Sequence, residues 1–274
     1  SWKSKVKLLK IWGSLDDVIK TCSCALEYHP THAFFWWQKG HTLSIKDNHP
    51  EAVACYNEAL KLDPFDVFCM SKKGKSLAEM NKFDEAIECL KEANRMDPEN
   101  DQVVSNLGYA YEKMKDYDTA KKYYNAAIDL MPEQFHFARM AWLCNLRKEY
   151  GEAIDNYKSC LEISEEPITL ALMADVLYSW GRHDESLKIC KDLDVQKISE
   201  QETSGYLSHS LSASSLFHAG VSTKLYVLHS VRRLTLTVMS KIYHDKKMFK
   251  ESIDCCDKIL RSDSTNMEIL RIKN

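Results

Sequence analysis

The chain has 274 residues, 45% of them apolar, with 37 basic and 40 acidic residues and a formal net charge of −3. A nucleic-acid-binding protein usually carries a basic surplus, so the charge balance speaks against that class. With only 8 Gly and 6 Pro residues, the composition favours helices over a turn-rich sheet protein. No apolar run approaches the roughly 18 residues that a membrane span requires. Because an initial Met is missing, we expect a fragment of a longer protein.

The first two predicted helices run from about Trp2 to Ile11 and from Asp16 to Glu27, and Pro30 closes the second. We expect residues 1–32 to be a truncated first copy of the pattern that follows. Several of the ten cysteines lie at apolar helical positions, where a reduced thiol packs as a small apolar side chain. This use of cysteine predicts a reducing compartment, the cytoplasm or the nucleus.

Residues 33–193 contain a self-similar pattern with a period of 33–34 residues, which we interpret as five helix–turn–helix units. Three segments align without gaps. Each has a Gly in the first helix, followed by an Ala, a large residue, a second Ala and a Pro. These residues are Gly40, Ala52, Tyr56, Ala59 and Pro64; Gly74, Ala86, Leu90, Ala93 and Pro98; and Gly108, Ala120, Tyr124, Ala127 and Pro132.

Each repeated residue type has a physical role in a pair of packed helices. The small residue of the first helix, such as Gly74, is expected to face the Ala of the second helix, because overpacking at a helix crossing costs roughly 1–3 kcal/mol. The large residue one turn later, such as Leu90, is expected to fill the gap to the adjacent repeat. The Pro ends the second helix. Asp84, Asp118 and Asp184 are placed to cap that helix or to lie at its positive end.

The combined pattern resembles the tetratricopeptide repeat family, whose opening Trp is matched by Trp36. The resemblance covers nearly the whole chain except about residues 195–230. It implies an all-α fold, a right-handed α-solenoid of antiparallel helix pairs with about seven units and one further degenerate unit. It also implies a concave groove, lined by the first helices, in which a partner peptide or helix binds.

The pattern weakens in residues 194–230, which are rich in serine. A degenerate repeat and a serine-rich insertion both remain open for this range, and the doubled spacing to the next repeat favours the degenerate repeat. Residues 231–274 are predicted to contain the last unit and the beginning of a further helix, from Met267 to Lys273.

Helical spacing selects the groove side of each first helix. Aromatic residues recur there, and aromatic residues are favoured contact residues of protein interfaces. Two alternatives remain open for Trp37, Tyr109 and Trp142: these side chains are exposed in the groove, or they pack against a neighbouring helix. The predicted partner-binding residues are Phe34, Trp37, His41, Phe68, Lys75, Asn106, Tyr109, Phe135, Arg139, Trp142, Asp175 and Tyr178.

No residue pattern in the sequence predicts catalysis, a cofactor or a metal site. The sequence lacks a His-Glu-x-x-His helix and a phosphate-binding Gly loop, and its two cysteine pairs are interpreted as core residues rather than zinc ligands. Some members of the family hold acidic C-terminal tails in a clamp of Lys, Asn and Arg. Only Asn106 and Arg139 match that clamp, so we do not expect one.

The sequence therefore predicts a non-catalytic scaffold that binds another protein, within a larger complex. Two alternatives remain open: a targeting or adaptor domain of a larger enzyme, and a chaperone co-factor. Nucleic acid is not an expected partner. Self-association stays open, because the ends of a repeat stack expose apolar faces.

Overall fold

A computed structural model describes residues 2–12, 15–195, 224–261 and 266–273. Within these ranges all regular elements are α-helices and no strand is present, which confirms the all-α prediction for the described part of the chain. The helices are α1 (Trp2–Trp12), α2 (Leu15–Tyr28), α3 (Ala33–Ile45), α4 (His49–Leu62), α5 (Val67–Glu79), α6 (Phe83–Met96), α7 (Asp101–Lys113), α8 (Tyr117–Leu130), α9 (Gln134–Leu146), α10 (Tyr150–Ile163), α11 (Pro167–Ser179), α12 (His183–Val195), α13 (Lys224–Asp245), α14 (Phe249–Leu260) and α15 (Met267–Lys273).

The chain divides into two compact units, Ser1–Pro132 with helices α1 to α8 and Glu133–Asn274 with helices α9 to α15. In each unit consecutive helices pack as pairs, and the second helix of a pair also packs against the first helix of the next. This is the packing of an α-solenoid, as predicted. In the second unit α13 contacts both α11 and α12. Most of the predicted degenerate repeat or insertion, residues 196–223, lies outside the described residues.

The helix ends agree with the roles expected of Pro and, in part, with those expected of Asp. Helices α4, α6 and α8 each end two residues before the repeated Pro, as predicted. Asp118 lies in the first turn of α8, at the positive end of the helix. The cap of α8, however, is Asp116, whose side chain accepts a hydrogen bond from the Thr119 N–H at 3.2 Å. The repeated Asp therefore lies at the positive end of α8 without capping it.

In the pairs α3–α4, α5–α6 and α7–α8, the Gly of the first helix lies against the large residue of the second helix. A Cβ added at Gly74 would lie 2.5 Å from Leu90 Cγ, and one at Gly108 would lie 2.8 Å from Tyr124 Cδ1. Carbon atoms do not pack this closely, so only Gly fits beside these side chains. Leu90 also clusters with Leu107 of the next pair, as predicted. At Gly40 an added Cβ would lie 3.0 Å from Tyr56 Cε1 and 3.1 Å from the Ala52 carbonyl O, so this Gly also faces the Ala of its own pair, as predicted.

A residue with positive φ recurs in the turn between the two helices of a pair. In the second repeat Asn81 has φ +59°, its N–H donates to Ala78 O, and the next N–H, of Lys82, donates to Leu77 O. These two bonds form a Schellman motif, which satisfies carbonyl groups at the end of α5. Positive φ favours Gly, yet only one of these residues is Gly. The positions are Asp47, Asn81, Lys115, Lys148, Gly181 and Lys247.

Substitutions at this turn position are expected to change stability in opposite directions. Gly181→Ala is expected to lower the free energy of unfolding by about 1 kcal/mol, because a Cβ disfavours its left-handed backbone. Apart from its chain neighbours, no atom of the described residues lies within 4 Å of that Cβ, so the loss would come from the backbone at φ +83°. Lys148→Gly is expected to raise the same free energy by about 0.5 kcal/mol. Urea unfolding of both variants checks the prediction, and equal losses would contradict it.

Candidate protein-binding face

In the first unit, an aromatic patch forms where the first helices α3 and α5 meet. The Trp37 ring stacks on His41 with centroids 5.4 Å apart, and it lies 5.3 Å from the Phe68 ring of α5. Phe68 is 46% exposed, and the Lys72 ammonium lies 5.0 Å from the centre of its ring. We call Trp37, Gln38, His41, Phe68 and Lys72 the α3–α5 patch. It brings together three residues that the sequence predicted and two that it did not.

Between α5 and α7 the predicted residues are mostly buried. Asn106 Nδ2 donates a hydrogen bond of 2.8 Å to Ser71 Oγ, and both side chains are buried. The Tyr109 ring is only 3% exposed, and its hydroxyl donates a hydrogen bond to Glu79. Tyr109 therefore belongs to the packing between first helices and is not exposed in a groove. The Lys75 ammonium lies 5.6 Å from the centre of the Tyr109 ring.

Phe34, at the beginning of α3, packs toward the first helix pair. Its ring meets the Phe35 ring edge to face, with centroids 5.3 Å apart, and the Lys3 ammonium lies 5.3 Å above it. Phe34 also packs against the core cluster that contains Val6 and Val18. Phe34 therefore packs on the core of the first helix pair.

In the second unit, the predicted residues occupy two separate settings. On α9 the buried Arg139 guanidinium lies 5.5 Å from the centre of the Phe135 ring, and Trp142 is half-buried. On α11 the Tyr178 hydroxyl donates a 3.0 Å hydrogen bond to Asp245 Oδ2 of α13. Burial and this neighbouring carboxylate raise the pKa of Tyr178 to about 12. Tyr178 therefore links α11 to α13, and Asp175, one turn earlier, is half-buried.

One set of side chains in the second unit has the composition of a metal site. Cys144, Glu149 and Glu152 place one ligand atom each within 4.8 Å of one another. The Arg147 guanidinium, however, donates to Glu149 Oε1 at 2.7 Å. This ion pair already accounts for the Glu149 carboxylate, so the set is explained by the turn between α9 and α10 and does not indicate a metal.

Segments of the chain match the tetratricopeptide repeat family. Residues 35–66 and 104–134 match models described as tetratricopeptide repeat, and residues 74–115 match one described as TPR repeat. The matched segments of this chain are tetratricopeptide repeats. No curated protein matches it. Among the described residues, none of the helices combines the length and the apolar character that a membrane span needs.

Solved structures, two of them described as tetratricopeptide repeat proteins, share the fold. A tetratricopeptide repeat protein from Parabacteroides merdae is 12% identical with a TM-score of 0.65, over 99% of this chain and 96% of that one. A thermophilic TPR protein of Thermus thermophilus is 16% identical with a TM-score of 0.61, over 65% of this chain and 100% of that one. A chain of the APC/C hetero-tetramer Cut9-Hcn1 is 14% identical with a TM-score of 0.67, over 98% of this chain and 47% of that one. At these identities the likeness concerns the fold alone.

Gln38 and Lys72 are the members of the patch that the sequence analysis missed. A detectable signal existed, because Gln38, Lys72 and Asn106 are separated by 34 residues each and so occupy the same position in three successive first helices. All three are polar, and Gln38 and Asn106 are buried. A polar residue that recurs at a largely buried position is unlike the polar residues of a solvated helix face. The sequence shows the recurrence, but burial cannot be predicted from spacing alone.

The half-buried Glu79 carboxylate on α5 is expected to make stability depend on pH. Burial alone would raise the pKa of Glu79, but the hydrogen bond from Tyr109 and the Lys113 ammonium at 2.9 Å hold that pKa below its ordinary range. Glu79→Gln is therefore expected to lower the free energy of unfolding by about 1 kcal/mol at pH 7. The pKa of Glu79 is lower in the folded protein than in the unfolded chain, where it is about 4.3. The ionised carboxylate therefore stabilises the fold above about pH 4.3, and this stabilisation is lost as the pH falls through the folded-state pKa.

Urea unfolding of wild type and Glu79→Gln between pH 7 and pH 3 measures this effect. The difference between the two proteins should shrink in acid. Glu92→Gln is the control, because Glu92 pairs with Arg95 on the surface of α6, and such exposed pairs contribute little. A Glu79→Gln loss that does not change with pH would contradict the assignment.

Proposed function

We propose that this chain is a non-catalytic scaffold that binds a partner protein, as an extended peptide or a helix, along the faces of its first helices. The α3–α5 patch carries the proposal. A large aromatic ring that is 46% exposed, Phe68, lies beside Trp37 on two packed helices, and aromatic residues dominate the binding energy of protein interfaces. Side chains held by packed helices also lose little conformational freedom on binding.

The wider setting of the protein is part of the same proposal. We expect it to act within a larger complex in the cytoplasm, as a scaffold or as an adaptor for another activity. The ten free cysteines support a reducing compartment. For a chaperone co-factor the support is weaker, because Ser71 and Lys75 replace the Lys and Asn that the acidic-tail clamp needs. Asn106, which does match the clamp, already donates its hydrogen bond to Ser71.

Binding of selected peptides tests the proposal. Twelve-residue peptides would be selected from a random displayed library on the wild-type chain, and their Kd values measured by fluorescence polarisation. Phe68→Ala and Trp37→Ala are expected to weaken binding about tenfold or more, as for central interface aromatics. Because nearly half of Phe68 is exposed, Phe68→Ala should leave the Tm nearly unchanged.

Phe65→Ala is the matched control for this experiment. Phe65 is 77% exposed in the turn between α4 and α5, outside the patch, so its loss should not change the Kd. Failure to select any peptide, or equal weakening by the Phe65 and Phe68 variants, would refute binding at this face.

A further inference from the structure

Lys72 is a partly buried ammonium whose surroundings are unusual for this protein. Its neighbour is the Phe68 ring at 5.0 Å, and no carboxylate pairs with it among the described residues. Burial lowers the pKa of Lys72, and no charged neighbour contributes to that shift. Other lysines of the unit do have acidic partners, such as Lys113 with Glu79. A partly desolvated cation without a counter-charge is costly, and a bound anion would offset that cost.

A second observation on the same face concerns Gln38. It is 6% exposed, and no donor among the described residues reaches its Oε1. Gln38 stands one repeat before Lys72 at the same place in its first helix, and α3 packs against α5. A buried amide oxygen without a donor is unfavourable. A peptide backbone N–H is a donor of suitable size that a bound chain would supply.

The apolar part of the patch restricts the ligand further. Phe68 offers ring surface directly beside the Lys72 ammonium, and the Trp37 ring lies next to the Phe68 ring. A small inorganic anion would use the charge of Lys72 but would leave the exposed Phe68 ring uncovered. A polypeptide can place an acidic side chain and an apolar side chain next to each other and still offer backbone N–H groups. The Gln38 Oε1 acceptor, the Lys72 ammonium and the neighbouring aromatic rings therefore together favour a peptide over a free anion as the ligand.

We propose that the α3–α5 patch binds an extended segment of a partner protein in which an acidic side chain stands next to an apolar one. The side-chain carboxylate pairs with the Lys72 ammonium, the apolar side chain covers Phe68 and Trp37, and a backbone N–H donates to Gln38 Oε1. This inference rests on the proposed function and adds the chemical class of the partner. It concerns an internal acidic side chain, not the C-terminal carboxylate that the clamp described above would hold.

Capped peptide pools test this inference. Three pools of nine-residue peptides, acetylated and amidated so that no terminal carboxylate remains, would share a central leucine followed by Glu, Gln or Lys, with the other positions randomised. Retention on the immobilised chain would be measured at low and at high salt. The wild type is expected to retain the Glu pool about tenfold better than the Gln pool and to reject the Lys pool, because a charge-assisted bond forms only with Glu. High salt should reduce this preference.

Two lysine variants identify the group responsible. Lys72→Met keeps an apolar stem over Phe68 and removes the charge, so it should retain the Glu and Gln pools equally. Lys91→Met makes the same charge change at an exposed site of α6 and should keep the wild-type preference. The fold of Lys72→Met is expected to remain intact, because removing an uncompensated charge does not destabilise. A Tm measurement confirms this before binding is measured.

The outcomes separate the inference from the proposed function. If the wild type retains the Glu and Gln pools equally and Phe68→Ala loses both, the acidic partner is refuted. The proposed scaffold function would stand in that case. Retention of no pool would refute both. A Glu preference that survives Lys72→Met would also refute the inference. So would Lys72-dependent binding of a poly-dT oligonucleotide without any Glu preference, which would indicate a nucleic-acid surface instead.

Discussion

Replacing Leu90 by alanine is expected to lower the free energy of unfolding by about 2–5 kcal/mol, the largest loss that we predict for one substitution. Leu90 is fully buried, lies over Gly74 and shares a core cluster with Ala86 and Leu107. Its truncation removes apolar contacts both within its own helix pair and with the next pair, and the rigid backbones around it prevent the cavity from closing. Urea unfolding monitored by circular dichroism measures the loss.

A double-mutant cycle separates the Gly74–Leu90 contact from burial in general. Gly74→Ala alone is expected to destabilise by about 1–3 kcal/mol through overpacking, which the higher helix propensity of Ala offsets in part. When Leu90 is already Ala, the new Cβ enters free space, so Gly74→Ala should become neutral or stabilising. We expect an interaction energy of about 1 kcal/mol or more.

Gly151→Ala is the control for the cycle. The nearest atom to its added Cβ is Trp180 Cη2 at 3.9 Å, so this substitution should be neutral or slightly stabilising in any background. Additive effects of Gly74→Ala and Leu90→Ala would show that the two residues do not constrain each other.

The helices of the repeats were predictable because the tightest packing constraints admit few residue types. A site such as Gly74, where a Cβ would lie 2.5 Å from a neighbouring carbon, admits only Gly and therefore recurs visibly. The positive-φ turn position was not found, although it recurs just as regularly. Its backbone is accessible to Asn81 and Lys115 at a cost of about 1–2 kcal/mol, so no single residue type marks it.

The candidate site was only partly predictable, because exposure depends on neighbours that are distant in the sequence. Trp37 and Phe68 were found from their spacing, and the structure brings their rings together. Tyr109 has the same kind of spacing, but Glu79 accepts a hydrogen bond from its hydroxyl and its ring is buried. Lys72 was overlooked because a lysine on a helix is usually solvated, and only the packed structure shows that its ammonium is partly buried beside a ring.

Tyr124→Phe is expected to lower the free energy of unfolding by about 1.5–3 kcal/mol. The Tyr124 ring is fully buried, and its hydroxyl donates a 2.6 Å hydrogen bond to Glu112 Oε2, a carboxylate that is itself buried. Phenylalanine keeps the ring but removes the donor, so the Glu112 carboxylate loses a charge-assisted hydrogen bond in a place where water cannot fully replace it.

Tyr56→Phe is the matched control, because Tyr56 occupies the same place in an earlier repeat and is equally buried. Its hydroxyl meets the neutral Ser44 hydroxyl at 3.3 Å, a longer contact without a charge. The loss in this variant is expected to be at most about 1 kcal/mol. The two tyrosines have the same ring volume, burial and position in the repeat. The comparison therefore isolates the acceptor of the hydroxyl, which is a carboxylate for Tyr124 and a neutral hydroxyl for Tyr56. Equal losses in the two variants would show that the carboxylate of Glu112 adds nothing, and that the tyrosines are retained for their rings alone.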